Sequence, residues 1–158
     1  MRLNPAVFDI WVFRRTPQGP EFLVLHTSEL KAQRHFNGGR FWQIPCGVFA
    51  EAEPVPAAVD RELARYGLAA IAIWAAEHVY TIYNRRFDEI EIISVFAAEV
   101  ADMEVPVTLN PAEHAEAAWL GYDAALARVN YRGLKDGLRS THEYITGPTR
   151  PAPELQLR

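Results

Sequence analysis

A chain of 158 residues, 49% hydrophobic and 23% charged, has the composition of one globular domain with a substantial core, which excludes collagen-like, disulfide-framework and wholly disordered proteins. With 16 Lys and Arg against 20 Asp and Glu, the formal charge of −4 supplies no general attraction to a polyanion, so no nucleic acid polymer is expected as a partner. The single cysteine, Cys46, closes no intrachain disulfide and builds no multi-cysteine metal site. The first apolar stretch, Ala6 to Phe13, is interrupted by Asp9 and ends at Arg14-Arg15; it is too short for a membrane span and lacks the order of a leader peptide. The expectation is a cytoplasmic protein without a membrane partner.

In chain order, Phe8, Ile10 and Val12 alternate with Asp9, Trp11 and Phe13. The turn-forming Pro17 to Pro20 separates this run from the β-rich Glu21 to His26, which predicts a hairpin. A polar, basic stretch from Ser28 to Arg40 reads as a loop and leads into the short apolar piece Phe41 to Ile44. From Pro54 the period becomes helical: Val55, Val59, Leu63 and Tyr66 form an apolar face, Glu62 and Arg65 lie on the other, and Gly67 stops the helix. Ile73 to Tyr83, Glu89 to Val100 and Ala115 to Tyr122 read as strands, and Asp123 to Val129 and Arg132 to Ile145 as helices. This order predicts a mixed α/β sheet sandwiched by helices, one domain over residues 1–146, and a loose, proline-rich tail over residues 147–158.

The stretch Trp42 to Glu53, followed by Arg61-Glu62-Leu63, resembles the Nudix hydrolases, whose pattern runs G-x5-E-x7-R-E-U-x-E-E-x-G-U with U a bulky apolar residue. Gly47, Glu53, Arg61, Glu62 and Leu63 stand at the family's spacings, and the run Glu113-His114-Ala115-Glu116 before Trp119-Leu120 is similar to one that precedes the family's last strand. The resemblance covers most of the chain and implies a Nudix-like α/β/α sandwich with a mixed β-sheet. It also implies cleavage of the diphosphate bond in a nucleoside diphosphate-linked compound with Mg²⁺ or Mn²⁺. By that likeness Glu62 is a metal ligand and catalytic residue, and Gly47, Glu53 and Arg61 brace the loop against the helix. The helical carboxylates of such a box, three and four residues apart, share one face and hold the cation against a diphosphate. A homodimer, common in the family, is a further expectation, and the strand beginning near Phe87 with the helix from Leu134 is most like the enzymes acting on dihydroneopterin triphosphate or diadenosine polyphosphates.

The second half of the box departs from the pattern. After Leu63 the chain reads Ala64-Arg65-Tyr66-Gly67-Leu68, one residue short and without the two consecutive glutamates. A guanidinium has only donors and ligates no cation; about 6 Å from a divalent ion it opposes binding by roughly 5 kcal/mol at an effective dielectric of ~20. Other carboxylates would have to complete a metal site, and the candidates are Glu91, as ligand and catalytic residue, and Glu113, with Glu89 and Glu116 beside them. Lys31, Arg34, Arg40 and Arg65 are candidates to hold phosphates directly. Tyr80, Tyr83 and Phe87 are candidates to stack a base, and Cys46, standing where the family has a glycine, is a conceivable nucleophile only with a lowered pKa. Two readings follow: a hydrolase with a remodelled or impaired metal site, and a catalytically inactive module binding a nucleotide or other phosphate-containing ligand.

Overall fold

The computed structural model describes residues 1–102, 104 and 106–158. Among them seven strands form one sheet: β1 (Arg2–Thr16), β2 (Gly19–Thr27), β3 (Trp42–Gln43), β4 (Cys46–Val48), β5 (Ala70–Asn84), β6 (Glu89–Val100) and β7 (His114–Gly121). β1 and β2 are the expected hairpin, β5 and β6 a second, longer one, and the two meet along a parallel β1–β6 seam that makes the sheet mixed. The unbroken burial of Phe8 to Phe13 follows from that central place. Phe8, Ile10 and Val12 pack with Ala58, Val59 and Leu63 of α2 (Val55–Ala64) on one face. Trp11 and Phe13 pack on the other with Ala125 of α3 (Tyr122–Arg128) and Leu134 and Leu138 of α4 (Arg132–Thr141). The α/β/α sandwich expected from the sequence is thus built on β1, whose alternate residues feed two cores.

One detail of the topology creates the site. β1 and β2 pair only where Phe13 to Thr16 meet Gly19 to Phe22. Further along they part, and β4 takes the free edge of β1 while β3 takes that of β2. The segment between residues 42 and 48 is therefore wedged into a split in the sheet, and its exit delivers the chain to α2.

Three local expectations are corrected. The Ser28 to Arg40 stretch contains a helix, α1 (Glu29–His35): the Ser28 hydroxyl accepts from the Lys31 N–H at 3.0 Å, and Leu30, Lys31, Ala32, Gln33 and Arg34 are all good helix formers. Glu62 is not on an outer face of α2 but only 2% exposed, because it sits beside Leu63 at the margin of the buried stripe. Residues 147–158 are not a loose tail at their end. The Ile73 N–H donates to Arg158 O at 2.9 Å and the Leu157 N–H to Ile73 O at 2.8 Å on the outer edge of β5, while the Arg158 guanidinium reaches Asp60 on α2. Backbone pairing of this kind needs no particular side chain, so proline content did not foretell it. Among the described residues no helix is long and apolar enough to cross a membrane.

Candidate functional site

The turn into α2 is braced by an ion pair between Arg61 and Glu53. Arg61 donates through Nε to Glu53 Oε1 and through Nη2 to Glu53 Oε2, each at 2.8 Å, and Nη2 also reaches Val48 O at 2.9 Å. The Arg61 guanidinium, with the backbone N–H of Ala50, holds the Glu53 carboxyl down at about 2. Gly47 lies against this brace where any side chain would collide: a Cβ there would stand 2.7 Å from the Phe8 ring and 3.0 Å from Glu62 Oε2. Glycine at this position lets the loop close down on the Glu62 carboxylate.

Glu62 faces two arginines. Its Oε1 accepts from Arg65 Nη1 at 2.6 Å, and Arg61 Nη1 stands 3.9 Å from its Oε2. Burial pushes the Glu62 carboxyl up, and Arg65 opposes the rise. The other end of the Arg65 guanidinium, Nη2, donates to Glu113 Oε2 at 2.6 Å, so one cation spans two carboxylates that lie 51 positions apart in sequence. Glu113 arrives there because β7 pairs with β2 and because the Ser28 hydroxyl at the head of α1, while accepting from the Lys31 N–H, holds the preceding turn by donating to Ala112 O at 2.7 Å. The next residue, His114, is 4% exposed; its Nε2 accepts from Gln43 Nε2 at 2.7 Å, and its Nδ1 is buried without a partner. Burial first, then the Lys31 and Arg65 charges, lower the His114 pKa to about 4, which leaves the ring neutral at physiological pH.

Not every expected residue joins this group. Lys31 bears on Cys46 and His114 electrostatically and belongs to the same neighbourhood. Arg40 is turned elsewhere, donating to Thr27 O at 2.9 Å beside His26, and Arg34 lies exposed in the last turn of α1. Glu116 pairs with His26 at 3.0 Å, and Glu89 is held by Arg2 and Asn4. Glu91 accepts from Asn84 at 2.7 Å and acts on Asp9 and Tyr80, whereas the charges bearing on Glu62 are those of Arg65, Arg61 and Glu113. Tyr83 and Phe87 are exposed near the tip of the β5–β6 hairpin, where Tyr83 bonds Asp88.

The sequence reading noted Asp9 only as a break in an apolar run. The structure places it opposite Cys46, 5% exposed, accepting from the Tyr80 hydroxyl. Burial raises its pKa to about 7 against the Tyr80 hydrogen bond, with the Glu91 charge adding to the rise. Cys46 is open to solvent but crowded by protein and by the charge of Asp9, which together push its thiol up to about 12. A thiol held so high is not an activated nucleophile. The Tyr80 ring lies where a side chain on Gly133 would stand, 2.3 Å from a Cβ built there. Gly133→Ala is therefore expected to destabilise the fold by roughly 1–3 kcal/mol, seen as a lower urea midpoint, because Tyr80 is pinned at its other end by Asp9.

Divalent metal does not fit these residues as arranged. Among the described residues no group of three or more His, Cys, Asp or Glu side chains is placed to hold an ion. The two carboxylates of this group, Glu62 and Glu113, are already bridged by Arg65, a donor-only cation.

The sequence matches the family model of the NUDIX domain over residues 3–139. Among solved structures, a NUDIX hydrolase from Listeria monocytogenes superposes with a TM-score of 0.75 at 21% identity, covering 94% of this chain and 99% of that one. The Ap4A hydrolase of C. elegans, solved as a binary complex, gives 0.67 at 17% identity over 94% and 100%. The NUDIX domain of Shewanella oneidensis NrtR, solved with ADP ribose, gives 0.67 at 14% identity over 90% and 89%. These likenesses show the fold. No curated protein matches the chain.

Proposed function

The chain belongs to the NUDIX family, and on that premise we propose that it takes a nucleoside diphosphate-linked small molecule at the site formed around Glu62, Arg65 and Lys31, with the family's hydrolysis of the diphosphate bond impaired. The observation that carries this reading is the seating of Arg65 between Glu62 and Glu113, each at 2.6 Å. The family's chemistry asks for a divalent ion at the diphosphate, to polarise phosphoryl oxygens and to activate water. Here that place is bounded by a guanidinium whose charge would repel such an ion. Ligands of this class are consistent with the solved neighbours, one of which is an Ap4A hydrolase and another a domain complexed with ADP ribose.

A hydrolase rebuilt around Glu62 is the second reading. The intact Arg61–Glu53 brace favours it, since that brace still holds the loop and α2 in the arrangement that presents Glu62. The two readings part on a panel of nucleoside triphosphates, sugar nucleotides, dinucleoside polyphosphates and dihydroneopterin triphosphate, assayed with Mg²⁺ or Mn²⁺. We expect saturable binding of at least one compound with kcat below about 0.01 s⁻¹, roughly a thousandfold under a typical enzyme. Turnover near 10 s⁻¹, a typical enzyme's rate, that disappears in Glu62→Gln would establish the second reading instead. Absence of binding across the whole panel would remove the ligand class altogether.

A further inference from the structure

We propose that Arg65 is the built-in cation of this site and Glu113 its built-in anion, so that a diphosphate group binds without a divalent ion by displacing Glu113 from Arg65. The inference rests on the reading of the Glu62–Arg65–Glu113 group as a nucleoside diphosphate site and specifies how the phosphates are held.

The two carboxylates on Arg65 are not equivalent. Glu62 is 2% exposed, fixed on α2 and closed over by Gly47. The Glu113 side chain is 36% exposed and sits ahead of β7, so it is the partner that an incoming anion can replace. Replacement favours the ligand on charge and on geometry. A single carboxylate gives way to a diphosphate of higher charge, whose oxygens match a guanidinium in a fork. Two further groups belong to the same neighbourhood. The Lys31 ammonium has no carboxylate within 4.0 Å among the described residues, and its charge already reaches Cys46 and His114. In the residue following Glu113, the buried Nδ1 of His114 has no hydrogen-bond partner, and with Gln43 donating to Nε2 it is Nδ1 that carries the proton. A divalent ion has the opposite fortunes, because Arg65 repels it and already holds one oxygen of each carboxylate.

Calorimetric titration of inorganic diphosphate and of ADP into the intact protein tests this, in EDTA and again with Mn²⁺. Wild type should bind in EDTA. Glu113→Gln should bind about tenfold more tightly, and Arg65→Ala at least tenfold more weakly with an unchanged circular dichroism spectrum. Mn²⁺ alone, followed by the loss of its free-ion electron paramagnetic resonance signal, should not bind wild type but should bind Arg65→Glu saturably. Diphosphate or ADP binding that requires Mn²⁺, or that weakens in Glu113→Gln, overturns the proposal while leaving the nucleoside diphosphate reading in place. Binding of Mn²⁺ alone to wild type overturns it as well. No binding of either probe under any condition overturns it too, and the nucleoside diphosphate reading then falls only if the full panel above also fails to bind.

Discussion

Asp9→Asn is expected to stabilise the protein progressively as the pH rises, by about 4 kcal/mol more near pH 8 than near pH 4. Asp9 sits on the central strand with 5% of its surface exposed, and burial there holds its carboxyl protonated up to about 7, where an unfolded chain would release the proton near 3.8. Between those values the native state binds more protons than the unfolded one. The stability this group contributes is therefore complete below 3.8 and lost as the pH climbs through about 7. His114 acts in the opposite sense: its pKa is lowered from 6.5 to about 4, so its contribution is present above 6.5 and lost as the pH falls through 4. Over the shared range the two oppose each other, so the wild-type profile conceals both. Urea unfolding of wild type and Asp9→Asn at about pH 4 and pH 8 checks this, since only the variant should gain stability across the interval. Parallel profiles for the two proteins would show that Asp9 ionises as it does in the unfolded chain.

Trp11→Ala is expected to cost about 3–5 kcal/mol and to loosen α4 specifically. Trp11 is fully buried, meets Phe22 edge to face at 6.0 Å, and donates through Nε1 to Leu134 O at 3.1 Å. Gly137 brings the next turn of α4 down onto the same indole, with a Cβ position only 3.3 Å from Nε1. Truncation removes the surface on which the helix rests. Trp11→Phe keeps most of that surface and gives up the hydrogen bond, for about 1 kcal/mol. Denaturation midpoints order the three proteins, and hydrogen exchange should show the Ala variant losing protection in α4 before the rest of the sheet.

What the sequence made legible was periodic or local. The alternation of Phe8, Ile10 and Val12 with Asp9, Trp11 and Phe13 announced a strand, and the family resemblance of Gly47, Glu53, Arg61 and Glu62 implied a braced turn into α2. α1 was not legible: the polar, basic run from Ser28 to Arg40 read as a loop, although Ser28 caps a helix there. The contacts that define the site were not legible, because they depend on register between distant strands. Glu113 reaches Arg65 only through the pairing of β7 with β2. Tyr80 reaches Asp9 because Ala76 and Glu77 bulge out of β5: the register before the bulge would set Tyr80 against Glu91, and the register after it sets Tyr80 against Ile93, nearer to Asp9. A shift of two residues keeps every side chain on its own face, so the alternating pattern gives no sign of it.

The parallel β1–β6 seam also imposes an order in time. β1 borders β2 within a few residues, but the strand on its other side begins at Glu89 and ends at Val100. On a ribosome adding about 5–20 residues per second, roughly 4–15 s separate completion of β2 from completion of β6. Through that interval the central strand of the sheet has one long flank unpaired, and a nascent chain in this state is the form most exposed to chaperones and to its own neighbours on a polysome.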